Sequence, residues 1–359
     1  MLQVFLVATL ALAGAQALPQ GPLRAGWEAL QRGDAEQAAV AFRQAVAADP
    51  RDAAALAGAG AAAHLLGRDD EAIAFLKRAL SRDPEFVYAA HLLGEIAYTQ
   101  GDLDLAIKSY ERVIKVAPGN RAVYQQLDAW KKEAALHDGF VTRPGVRFNV
   151  LFEGPAQAPI ADKVSQVLEA SYLRVGRALN AYPSEAITAI LYTKEQFRDV
   201  TRAPMWAAGA YDGRIRIPVL GALRTPGELE RVVSHEFVHA LIQSVAPRGV
   251  PTWLNEGLAT YFEPADHGWM LQRLRTAPAL IPLARLEESF TQLEGVDPIL
   301  AYAESVVAAR LLVERLGPNF PVFLQYVGNG TSLEQSLLLF NISAADVERE
   351  WARRTRASR

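Results

Sequence analysis

Two histidines four residues apart, His235 and His239, enclose the segment Glu236-Phe237-Val238. Positions i and i+4 share one face of a helix, so both imidazoles can converge on a single point. Sixteen residues after His239, the run Asn255-Glu256-Gly257-Leu258-Ala259 offers a carboxylate, Glu256, on what reads as the next helix. Two neutral imidazoles and one carboxylate are the protein ligands of a hydrolytic zinc site, whose fourth position stays open to water. His235, His239 and Glu256 are therefore the expected metal ligands, and Zn2+ the expected cofactor. Glu236 is poorly aimed to ligate and well aimed to take a proton from the attacking water, which zinc acidifies to a pKa near about 7.

Such ligands need a rigid helix, and the flanking residues supply one. Thr225-Pro226-Gly227-Glu228 combines a preferred cap, a proline in the first turn and the glutamate of a capping box. The helix should run to about Ser244, with the two histidines in its middle. Val232, Val233, Phe237, Val238 and Leu241 line its remaining faces, which predicts burial.

The run Trp253-Leu254-Asn255-Glu256-Gly257-Leu258-Ala259-Thr260-Tyr261-Phe262 resembles the third-ligand helix of the gluzincin metallopeptidases, above all their aminopeptidase-like and peptidase-MA-like branches. The resemblance implies that Glu256 joins the histidines on zinc and that the reaction is hydrolysis of peptide bonds. Thermolysin-like members place an aspartate four residues after the ligand glutamate to orient the first histidine. Here that position is Thr260, so Thr260, Asn255 and backbone carbonyls are all candidates to orient the rings. The similar families often draw an oxyanion donor from a tyrosine on a later helix. The segment from Pro298 to Val307 matches that helix and nominates Tyr302, with Tyr211 and Tyr261 as alternatives. His267, in a polar stretch after the site, reads as an exposed residue, with substrate binding as the alternative.

The elements before the metal helix carry strand signals. Phe148 to Phe152 and Ala186 to Tyr192 read as strands, Ala161 to Asn180 as a helix between them, and a short helix should end near Arg202. Gly209 to Pro218 reads as a hairpin around Asp212-Gly213, with Pro218 marking a sheet edge. That edge strand is expected either to pair with an extended peptide or to be protected by the charges of Arg214 and Arg216.

An internal repeat organises the first third. Pro50, Pro84 and Pro118 lie 34 residues apart, as do Gly33, Gly67 and Gly101. Ala38, Ala72 and Ala106 keep the same step, and so do the bulky Phe42, Leu76 and Tyr110. This pattern resembles the tetratricopeptide repeat (TPR), with Arg121 to Leu136 as a capping helix. The resemblance implies a concave groove lined by the first helix of each repeat, here rich in small residues such as Ala53, Ala54, Ala55, Ala57, Gly58 and Ala59, and either a docking role towards a protein partner or substrate or a packing module that positions the second domain. Residues from His137 to Gly145 read as the connector to the second domain.

The chain of 359 residues is long enough for two or three domains, and its half-apolar composition is that of a globular protein. With no cysteine, thiolate ligands and a cysteine nucleophile are excluded. No phosphate-binding glycine loop, Gly-x-Ser-x-Gly elbow or basic stripe with interleaved aromatics is present, which argues against nucleotide, serine-hydrolase and nucleic-acid chemistry. Met1 to Leu18 is uncharged and mostly apolar, ending in Ala13-Gly14-Ala15-Gln16-Ala17, which reads as a secretory signal. Since no basic residue precedes the apolar run, an uncleaved N-terminal anchor is the alternative.

The expected architecture is α+β: a signal at 1–17, an all-α repeat array at 22–136, and a zincin-like domain at 146–355 with a small sheet and a mainly helical C-terminal half. The expected protein is a secreted or periplasmic zinc peptidase. An endopeptidase is preferred, since no Gly-x-Met-Glu-Asn-type segment precedes the metal helix. Two alternatives stand beside it: a non-catalytic scaffold with a peptide-binding zinc domain, and hydrolysis of a small amide or cell-wall peptide.

Overall fold

In this computed structural model the period of 34 becomes a stack of helical hairpins. The structure describes residues 21–183, 185–201, 208–220, 225–264, 268–277, 279–287, 290 and 297–357. The expected signal segment and His267 lie outside them. The helices are α1 (Pro22–Gln31), α2 (Ala35–Ala48), α3 (Ala53–Leu65), α4 (Asp69–Arg82), α5 (Val87–Thr99), α6 (Leu103–Val116) and α7 (Arg121–His137). Gly33, Gly67 and Gly101 turn each hairpin with φ of 75°, 71° and 84°, a region that glycine enters at little cost. The bulky residue of each period is buried against a neighbouring helix. At Gly94, for example, a Cβ would stand 2.5 Å from the Tyr110 ring, so the approach requires glycine.

The alanine face of α3 is not an open groove. Ala55 to Ala63 are all buried, and Trp27 of α1 meets Tyr88 of α5 edge-on at 5.3 Å. Both rings belong to the same buried cluster as alanines of α3. At the other end, α7 seals the stack through Trp130, on which Tyr98 stacks at 4.8 Å while donating to the buried Glu133.

The second unit begins at Gly139. It opens with β1 (Phe140–Arg143), inside the stretch expected to be a connector. An aromatic followed by two β-branched residues suffices for a strand when its partner, β2 (Phe148–Glu153), lies next in the chain. Then come α8 (Ala158–Leu179), β3 (Ile187–Thr193), α9 (Lys194–Thr201), β4 (Ala210–Tyr211) and β5 (Ile215–Leu220). Sheet order is β1-β2-β3-β5-β4. The three central strands run parallel and the two outer ones antiparallel to their neighbours.

This order refines the edge expectation. β4 is only two residues long and pairs with Ile215 and Arg216 of β5, while Pro218 pairs with Tyr192 of β3 on one side and, among the described residues, with no strand on the other, so the edge expected there holds beyond Arg216. Arg214 and Arg216 are not surface charges; they are buried at 4 % and 0 % exposure. Arg216 donates to Asp212 Oδ2 at 2.9 Å and to the Tyr192 hydroxyl at 2.7 Å, so its charge is neutralised inside.

Helices follow: α10 (Pro226–Val245), α11 (Thr252–Tyr261), α12 (Gly268–Thr276), α13 (Pro298–Leu316), α14 (Phe320–Gly328), α15 (Leu333–Leu338) and α16 (Ala344–Ala357). One core joins the sheet and α8 to this helical half, including Val150, Leu168, Ile217, Phe237, Leu258, Leu312 and Trp351. Phe237 of α10 is fully buried and meets Phe148 of β2 edge-on at 5.9 Å. Burying a ring of that size contributes roughly 1.5–3 kcal/mol, which seats α10 on the sheet. Among the described residues, no helix is long and apolar enough to cross a membrane.

Candidate metal centre

Helix α10 begins as its sequence dictates, with the Thr225 hydroxyl accepting from the Glu228 amide at 3.2 Å. Its middle carries His235, Glu236 and His239, and Ser234 ties it to α8 through a buried hydroxyl pair with Ser171 at 2.9 Å. Helix α11 brings Glu256 across from it. The ligand-competent atoms of His235, His239 and Glu256 all lie within 4.8 Å of one another. Glu256 Oε2 stands 3.5 Å from His235 Nε2 and 3.7 Å from His239 Nε2. A tetrahedral ion with bonds of about 2.1 Å spaces its ligands about 3.4 Å apart, so these separations are the right size. That same Oε2 is buried without a hydrogen-bond partner, an orphan that a cation between the rings would satisfy.

Both rings are held from behind. His239 Nδ1 lies 3.1 Å from Asn255 Oδ1, one of the orienting residues the sequence offers. His235 Nδ1 lies 2.8 Å from Glu263 Oε1, a residue that sequence reading missed. Glu263 follows Glu256 by seven residues, two helical turns along the same face, just past the end of α11. Arg231, one turn before His235, pairs with the same Glu263 oxygen at 3.3 Å. With Nδ1 bonded outward on each ring, Nε2 is the nitrogen left to face the centre.

The electrostatics favour positive charge here. Burial alone would depress the His235 pKa, but flanking Glu256 and Glu263 reverse this and raise it to about 10. A proton or a metal ion meets the same demand. Burial would raise the Glu256 carboxyl, but the two imidazoles and a hydrogen bond from Tyr302 hold it below its usual range. For Glu236 burial wins over the two rings, and its pKa rises.

Tyr302, on α13, lines the same cavity as His235, His239, Glu256 and Glu236. Burial and the nearby carboxylates raise its pKa, so the hydroxyl keeps its proton. Helix α13 approaches closely because Gly257, beside Glu256, carries no side chain. A Cβ there would lie 2.4 Å from the Ser305 carbonyl oxygen. Of the alternative tyrosines, Tyr211 also lines the cavity, while Tyr261 packs on Phe262 with ring centres 5.0 Å apart. Thr260 is buried and lines the cavity.

The cavity measures about 1140 Å3 and extends from the end of β4 to α12 and the start of α13. Gly209, immediately before β4, lies against the proposed base: a Cβ there would be 2.6 Å from Glu236 Oε1.

Comparison with known proteins bears on the other unit. Residues 23–85 and 63–130 match models of the tetratricopeptide repeat. No curated protein matches the chain. The N-terminal array is thus of the TPR kind, and repeats of this kind commonly mediate protein–protein binding.

Proposed function

We propose that the second unit is a zinc-dependent peptidase, and that the repeat array docks its substrate or a partner. The carrying observation is the convergence of His235, His239 and Glu256, with an orphaned carboxylate oxygen facing two outward-tethered imidazoles. An N2O donor set without thiolate, buried and preorganised, suits zinc. When bound, the ion supplies Lewis acidity, which makes water nucleophilic near neutral pH and polarises an amide carbonyl.

The chain's own groups supply the rest. Glu236, whose pKa burial raises, takes the proton of the attacking water and passes it to the leaving amine. Tyr302, kept protonated and hydrogen-bonded to Glu256 in the free protein, turns its hydroxyl to the oxyanion when substrate is bound. Glu263 and Asn255 keep the rings from rotating.

The charges lining the cavity favour internal bonds as the target. Glu236, Glu256 and Glu263 are all engaged in the centre, Arg231 is paired with Glu263, and Arg273 with Asp297. Among the described residues lining the cavity, no carboxylate is left over for a free α-amine and no cation for a free carboxylate. An endopeptidase needs neither. The apolar N-terminal segment, in this reading, directs the protein to a secreted or periplasmic space.

A second reading rests on the TPR matches: a scaffold whose zinc domain binds peptides without cleaving them. Zinc-loaded protein and its Glu236→Gln variant, assayed on unfolded proteins and a broad peptide library, separate the two. Hydrolysis abolished by chelation and by the substitution supports the peptidase. Near-zero rates for both proteins support the scaffold.

A further inference from the structure

Helix α12 turns two different faces to its surroundings. Met270 and Leu274 are buried in the core. Trp269, Gln272, Arg273 and Thr276, spaced by three, one and three residues, all line the catalytic cavity. That spacing is one continuous helical face, so α12 lays its length along the cavity as a wall. Trp269 keeps 39 % of its surface exposed, and Ile299, at the start of α13, keeps 54 % and lines the same cavity.

Large side chains left open to water inside a cleft have a cause in function more often than in folding. Here the fold gains little from either. The α12 helix is anchored by Met270 and Leu274, and by the ion pair of Arg273 with Asp297, which caps α13. With Arg273 neutralised, the cavity offers the indole of Trp269 from α12 and the aliphatic side chain of Ile299 from α13, with Gln272 and Thr276 as neutral hydrogen-bonding groups. This chemistry selects an uncharged, bulky side chain; an acidic or basic one would lose water without gaining a partner.

We propose that Trp269 and Ile299 form the side-chain subsite of the cleft, and that it takes a large apolar residue, aromatic or aliphatic, of an extended polypeptide. The proposal rests on the peptidase reading for its substrate class, and its geometry adds a residue-level specificity to that reading. A subsite of this kind discriminates a phenylalanine from an alanine side chain by about tenfold or more. Trp269 is a specificity residue, reached by the substrate side chain and not by the reacting atoms.

The test uses full-length, zinc-loaded protein carrying Glu236→Gln, and two fluorescent peptides that differ only by one phenylalanine replaced with alanine in a Gly/Ser/Ala background. Anisotropy titration should give the phenylalanine peptide the tighter Kd by about tenfold or more. Adding Trp269→Ala should bring the two affinities together, and Trp269→Phe, which keeps a ring on the α12 surface, should restore most of the difference. Equal affinities in the parent protein, no measurable binding of either peptide, or a ratio that survives Trp269→Ala overturns the subsite. Incubating the unsubstituted zinc-loaded protein with the phenylalanine peptide separates the two ideas. Selective binding without cleavage removes the peptidase and leaves the subsite; cleavage with no selectivity removes the subsite and leaves the peptidase.

Discussion

Replacing Gly209 with alanine should slow catalysis while sparing the metal. The added methyl would lie 2.6 Å from Glu236 Oε1, 2.8 Å from its Cγ and 3.0 Å from its Cδ. Ordinary contact begins near 3.4 Å, so the carboxylate must retreat by 3.4 − 2.6, or 0.8 Å. Glu236 is itself only 6 % exposed, which leaves it little room to move without leaving its line to the water. A base displaced by close to an ångström costs about a hundredfold in rate, or about 2.7 kcal/mol of transition-state stabilisation. The fall should appear in kcat, with KM little changed, because the three atoms nearest the added methyl all belong to the base. Zinc content and Tm should stay near those of the parent. Coupling Gly209→Ala to Glu236→Asp, which shortens the crowded side chain, should make the glycine substitution far less damaging than it is in the Glu236 background. A Gly209→Ala protein with unimpaired kcat would refute the claim that this backbone seats the base.

The other predictions address support around the centre and the C-terminal helix. Glu263→Gln should weaken zinc affinity by about 10- to 100-fold in chelator competition, through loss of the carboxylate behind His235; unchanged affinity would remove Glu263 from that role. Gly257→Ala would place a methyl 2.4 Å from the Ser305 carbonyl oxygen, pushing α11 and α13 apart. The expected cost is about 1–3 kcal/mol of stability in denaturant titration, and an unaffected midpoint would show that the helix contact gives way easily. Glu350, hydrogen-bonded by Arg353 and then Arg354, has its pKa lowered to about 2. A depressed carboxyl adds stability above its unfolded pKa of about 4.3 and loses it as pH falls through the folded value. The Tm gap between the parent and Glu350→Gln should therefore be full at neutral pH and close between about pH 4 and 2. A gap independent of pH would place the effect elsewhere.

What could be read from residues alone depended on whether the determinant was local. The face shared by His235 and His239, the cap at Thr225 and the period of 34 are properties of short stretches, and each element lies where those patterns put it. Glu263 escaped because its partner is 28 residues away on another helix. The thermolysin-like pattern puts the orienting acid four residues after the ligand glutamate, where Thr260 stands in this chain. An acidic residue two turns on, along the same face, was the available signal.

Arg214 and Arg216 were misread for a related reason. Alternation assigns side chains to two faces but does not say that both are covered. Here Arg216 lies over the Tyr192 ring, 5.9 Å from its centre, and is bonded to Asp212. The alanines of α3 likewise suggested an open groove, whereas Trp27 and Tyr88, 61 residues apart in sequence, meet in the fold. The strand β1 was too short to stand out from the polar residues around it.

Elemental analysis of the purified full-length protein decides whether His235, His239 and Glu256 hold a zinc ion. After dialysis against trace zinc, the protein should hold about one zinc ion per chain, lost on substituting His239 with alanine or Glu256 with glutamine. Protein that retains no zinc under these conditions, or variants that keep the parent's full zinc content, would contradict zinc binding there.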